Sequence, residues 1–94
     1  MIERHGLMSI TIELTYDMSK ALGTRRFEVE GARTVQDAVQ LTRDKFGDRG
    51  EAFEKLTRVA AVSVNGVLIN HRQGMTTALT DGDTVTFLKA AAGG

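Results

Sequence analysis

Ala78-Leu79-Thr80-Asp81-Gly82-Asp83-Thr84-Val85-Thr86-Phe87-Leu88 runs without a break into Lys89-Ala90-Ala91-Ala92-Gly93-Gly94. Asp81-Gly82-Asp83 reads as a polar turn, because glycine tolerates positive φ and short acidic side chains bond nearby backbone. After it, Val85 and Phe87 alternate with Thr84, Thr86 and Leu88, the period-two pattern of a half-buried strand. This strand is expected to be central and to end directly at the glycine tail.

Working outward, Met8, Ile10, Ile12, Leu14 and Tyr16 alternate with Ser9, Thr11, Glu13 and Thr15, which predicts a first strand. Residues 17–23 are expected to form a connection closing at Gly23. Arg25–Glu30 gives a second strand, with Phe27 and Val29 inward and Gly31 ending it. Thr34-Val35-Gln36-Asp37 has the form of a capping box. Val35, Ala38, Val39, Thr42 and Phe46 then follow helical spacing and put one apolar stripe toward the core, with Gly47 closing the helix. A short second helix is expected over Glu51–Leu56. Val59–Asn65 reads as a third strand, and Asn65-Gly66 is a hairpin turn because both central positions favour φ > 0. Val67-Leu68-Ile69 is the short fourth strand, and 70–80 is irregular with one helical turn.

Strands gathered around one main helix predict an α+β fold, a mixed sheet of about five strands in the β-grasp arrangement. The chain divides into an N-terminal extension (1–7), the β-grasp domain (8–88) and a flexible C-terminal tail (89–94). Its 94 residues allow one core.

Composition narrows the chemistry. Twelve basic residues balance twelve acidic ones, so no overall field attracts nucleic acid or an anionic membrane. Arg25-Arg26 is too short for a nucleic-acid patch and has no interleaved aromatics. With no apolar run of membrane-spanning length and no secretory leader pattern, cytoplasmic residence is expected. Cysteine is absent, which excludes disulfides, thiolate metal sites and a cysteine nucleophile. Any sulfur handled by this chain cannot ride on a side-chain thiol. His5 and His71 lie far apart with no ligand spacing, and Asp81 and Asp83 are read as turn residues, so no metal is expected.

Gly93 and Gly94 lack Cβ atoms and can enter a slot that a side chain would block. That makes the terminal carboxylate a candidate reactive group. Joined to the Asp-Gly-Asp turn, the strand Thr84–Leu88 and the upstream Val64-Asn65-Gly66, this ending resembles the MoaD/ThiS family of ubiquitin-like sulfur carriers over roughly residues 8–94. The resemblance implies a carrier that is not itself an enzyme. A MoeB/ThiF-like adenylating enzyme would use ATP to activate the Gly94 carboxylate, a persulfide would convert it to a thiocarboxylate, and a sulfur-accepting biosynthetic enzyme would receive the sulfur. The carrier itself would hold no cofactor. Six residues, 89–94, can extend about 20 Å beyond the strand, enough to thread the tail into a buried site while the domain docks outside.

Leu68 and Leu88 lie out of phase with Val67/Ile69 and Val85/Phe87, which are assigned to the helix-covered face. Both are therefore expected on the open face of the sheet as a partner-docking patch, with Arg58, Arg72 and Lys89 as candidate guiding charges. Two details bear on the pathway. Small subunits of molybdopterin synthase typically carry prolines before the tail, where this chain has Lys89-Ala90, and its Ala-Ala-Gly-Gly ending is closer to CysO-like carriers of cysteine biosynthesis. The length argues against thiazole synthesis. Two alternatives remain open: the MoaD-type subunit of molybdopterin synthase, and a ubiquitin-like protein modifier or non-catalytic β-grasp interaction module.

Overall fold

The computed structural model describes residues 8–71 and 73–89. The expected extension 1–7, Arg72 and the tail beyond Lys89, including Gly93 and Gly94, lie outside the described residues. Five strands, β1 (Ser9–Glu13), β2 (Arg26–Glu30), β3 (Ala60–Val64), β4 (Val67–Leu68) and β5 (Thr84–Lys89), form one mixed sheet in the order β2-β1-β5-β3-β4. β5 is the middle strand, parallel to β1 and antiparallel to β3. Three helices, α1 (Tyr16–Leu22), α2 (Val35–Lys45) and α3 (Gly50–Thr57), complete the α+β β-grasp fold.

The strand alternation has its expected consequence. Ile10, Ile12, Val62, Val64, Val85 and Phe87 are buried together with Val35 and Ala38 of α2 and Phe53 of α3. The rings of Phe53 and Phe87 meet edge to face with centroids 5.5 Å apart, the geometry that aligns the positive ring edge with the negative face. The capping box forms as read. Thr34 Oγ1 accepts the Asp37 N–H at 3.1 Å, and Asp37 Oδ2 accepts the Thr34 N–H at 3.2 Å. Asn65 at φ 51° and Gly66 at φ 87° make the β3–β4 turn.

Several expectations change. The first strand stops at Glu13 and does not reach Tyr16, and the connection that follows is the helix Tyr16–Leu22, closed at Gly23 as expected. Thr15 decides this, because its Oγ1 accepts the Met18 N–H at 3.1 Å and caps α1. Met18 and Leu22, one turn apart, then bury themselves under the sheet, and Gly23 at φ 79° closes the helix. Tyr16 consequently points outward at 65% exposure. The third strand starts at Ala60, leaving Val59 exposed in the turn after α3. Val67 faces the helix side opposite Val64 but is exposed, because β4 is the edge strand of the sheet. Ile69 is buried as expected, although it opens a 3₁₀ turn and does not extend β4.

The Asp81-Gly82-Asp83 turn is a structural knot. Asp83 accepts the Thr80 N–H at 2.8 Å, the Thr80 hydroxyl and the Asn65 side-chain amide at 2.9 Å. Asn65 Oδ1 in turn accepts the Thr84 N–H, and Asp81 Oδ1 accepts the Ser9 N–H at 2.8 Å. One turn thereby registers the starts of β1 and β5 and the β3–β4 hairpin. Both Asp83 oxygens and Asp81 Oδ1 are committed to these contacts, so the acidic pair serves the turn.

Two outcomes follow from this packing. Asp83→Ala should lower stability by about 2 kcal/mol, since several donors lose one acceptor, and Asp81→Ala by about 1 kcal/mol; denaturant titration checks both. Equal and negligible effects would refute the knot. A Cβ on Gly50 would fall on the Arg43 carbonyl where α3 crosses α2. Gly50→Ala should therefore cost about 2 kcal/mol, and an unchanged unfolding midpoint would show that the helices do not approach so closely.

Candidate functional site

Cross-strand neighbours share a face of a sheet, so the registers define what the side away from the helices presents. Leu88 lies opposite Ala61, Leu68 opposite Ser63, and Ser63 opposite Thr86. Thr86 neighbours Glu13, which neighbours Arg26. The open face therefore changes character across its width. Arg26, Glu13 and Thr86 form a polar strip joined by side chains: Arg26 Nη1 lies 3.3 Å from Glu13 Oε2, and the Thr86 hydroxyl donates to Glu13 Oε1 at 3.0 Å. On the other side, Ala61, Leu68 and Leu88 form an apolar strip.

The structure thus places Leu68 and Leu88 on the same open face, and they do not form one contact pair. β3 runs between them, and strand spacing with a two-residue offset separates their Cα atoms by about 12 Å. Ala61 and Ser63 occupy the gap. Leu88 is 42% exposed, next to the point where the tail leaves β5, whereas Leu68 is half-buried at the far edge. Arg58 and Lys89 are both exposed; Lys89 ends β5, and Arg58 follows α3.

A second feature escaped the linear reading. At the end of the sheet from which the tail departs lies a groove of about 620 Å³. One wall is the β1–α1 corner, Glu13 to Asp17, with Arg25 and Arg26. The other is Thr86 to Lys89 with Leu56, Val59 and Ala60. Three of the five large apolar side chains most exposed in the described residues, Tyr16, Val59 and Leu88, sit on its rim. Neither Tyr16 nor Val59 was singled out from sequence, because both had been absorbed into strands. The available signal was Thr15, whose capping role takes Tyr16 out of the strand alternation.

The groove has charge to spare. Glu13 and Arg26 neutralise each other across its floor. Arg25 and Lys89 have no acidic partner among the described residues, and Asp17 is the one unpaired acid lining the groove. No group of three or more His, Asp or Glu among the described residues could hold a metal ion, and no helix among them is long and apolar enough to cross a membrane. What the geometry offers is a chain exit, an apolar rim and unpaired positive charge, all at one end of the sheet.

No curated protein matches the chain. Among solved structures it is similar to the small archaeal modifier protein 1 from Methanosarcina acetivorans, with a TM-score of 0.75 at 23% identity over 94% of this chain and 98% of that one. It is similar to a chain of the BexX/CysO complex from Amycolatopsis orientalis, with a TM-score of 0.75 at 22% identity over 90% and 99%. The complex of subunits 1 and 2 of molybdopterin-converting factor from Helicobacter pylori 26695 also contains a similar chain, with a TM-score of 0.63 at 18% identity over 93% and 100%. At such identities the likeness establishes the fold, the ubiquitin-like β-grasp. The last two structures are complexes with a protein partner. The family is shown by a different comparison: a family model matches from Tyr16 through both glycines at Gly94, and on that ground the chain belongs to the ThiS family.

Proposed function

We propose that this chain is a sulfur carrier whose Gly94 carboxyl is adenylated and then converted to a thiocarboxylate. The observation that carries the reading is the family match over residues 16–94, which includes the glycine tail that β5 leads into. Chemistry supports the division of labour. A carboxylate is a poor electrophile, and an acyl-adenylate supplies the phosphate leaving group that an incoming sulfur nucleophile displaces. ATP is consumed by a MoeB/ThiF-like adenylating enzyme, and the sulfur passes to a biosynthetic enzyme. The carrier delivers and its partners catalyse. A chain with no cysteine cannot carry sulfur on a side-chain thiol, and a carboxyl at the end of a glycine tail is its most accessible acyl site.

Docking in this reading uses the apolar strip with Leu88 beside the tail and Leu68 beyond β3. Exposed apolar side chains gathered around a functional exit suit a reversible protein contact.

The decisive test is intact mass after incubation with ATP, the adenylating enzyme and a sulfur donor. Exchange of one oxygen for sulfur is expected, and deletion of Gly94 should abolish it while leaving the fold unchanged. Sulfur acceptance by the truncated chain would overturn the assignment to Gly94. Appearance of lysine conjugates without any sulfur exchange would favour the protein-modifier alternative. The double variant Leu68→Ala, Leu88→Ala should weaken binding to the adenylating enzyme by about tenfold or more. It should cost about 1 kcal/mol of stability, because Leu88 is exposed and Leu68 only half-buried. Unchanged affinity would refute the docking strip.

A further inference from the structure

The two ladders of β5 end at different places. Its pairing with β1 stops at Glu13↔Thr86, because Thr15 turns the chain into α1. Its pairing with β3 continues to Ala60↔Lys89. Phe87, Leu88 and Lys89 therefore have a strand neighbour on one side only, and the missing neighbour's position is the groove. Backbone direction alternates along a strand. The Thr11 N–H donates to the Asp83 carbonyl on the β1 side, and the Asn65 N–H to the Thr84 carbonyl on the β3 side. Continuing the alternation, the peptide groups of Phe87 and Lys89 face the groove. An open strand edge accepts an extended peptide by main-chain hydrogen bonding.

A proline at position 89 would have no N–H to offer. This chain keeps the donor. The rim matches an extended visitor too: Tyr16, Val59 and Leu88 offer apolar contacts, and Arg25 and Lys89 offer positive charge with no acidic partner among the described residues.

We propose that the protein receiving the tail adds an extended strand to the β1 side of β5. The strand bonds to the Phe87 carbonyl and the Lys89 N–H, and places apolar side chains on the Tyr16–Val59–Leu88 rim and an acidic one against Arg25. The occupant belongs to the tail's receiver because the groove shares Lys89 with the tail, so any protein engaging residues 90–94 passes its mouth. The inference rests on the sulfur-carrier reading for the identity of that partner, the adenylating enzyme.

The test compares full-length wild type, Lys89→Ala and Lys89→Pro for binding to the adenylating enzyme by calorimetry. Lys89→Pro removes an N–H that no strand neighbour uses. It should weaken binding about tenfold relative to Lys89→Ala, the effect of one interfacial hydrogen bond with its desolvated partner. Equal affinity of the two variants overturns the strand addition. No binding of wild type by an enzyme shown to be active overturns the carrier reading, a separate result. Amide exchange of the wild type supplies an assay that does not depend on the proline variant folding. The Lys89 amide should exchange freely in the isolated chain and be protected in the complex. Protection in the isolated chain that disappears on removing residues 90–94 would assign the groove to the chain's own tail. Protection that grows with protein concentration would assign it to a second copy, and either result overturns the proposal.

Discussion

Everything in this molecule hangs on the middle position of β5. It pairs with β1 on one side and β3 on the other, so it joins the two halves of the sheet and carries Val85 and Phe87 into the centre of the core. Such a strand must be registered accurately, since a one-residue slip would exchange buried Val85 and Phe87 for Thr84, Thr86 and Leu88. The turn at residues 81–83 supplies that register by bonding to Ser9, Thr80 and Asn65 at once. The fold thus anchors β5 where it begins.

The same arrangement explains why functional features collect at one end of the sheet. β1 is shorter than β5 because Thr15 diverts it into α1, and this diversion creates the groove. It also turns Tyr16 outward, beside Val59 and Leu88. A sheet with matched strand lengths would have closed that edge. The open face reaches a comparable division by different means, with Glu13 satisfying Arg26 and Thr86 on one side of the tail's exit and small or apolar residues on the other.

Much of this was legible in the residues. Local signals gave correct readings wherever one principle acted alone: the alternation at Ile10 and Ile12, the Asn65-Gly66 turn, the capping box at Thr34, and the start of β5 at Thr84. The errors came where two signals overlapped. Leu14 and Tyr16 continue the strand alternation across Thr15, and the helix cap won because it brings Met18 and Leu22 into the core. Val67 keeps the right phase but lies on the edge strand, and phase says nothing of strand order. Among the site residues, the shared face of Leu68 and Leu88 was readable from phase, whereas their separation by β3 depends on strand order. The groove was not readable at all, because it arises from the unequal ends of two ladders that bring together residues some seventy positions apart in sequence.

The central claim is that this chain carries sulfur at its end and nowhere else, and its lack of cysteine makes that directly measurable. Protein purified from cells of its natural host would be treated with a thiol-alkylating reagent, digested, and mapped by peptide mass. A single alkylated site at Gly94 is expected, absent from a Gly94-deleted chain. Protein that stays unlabelled when a known thiocarboxylate carrier is labelled in parallel would contradict it.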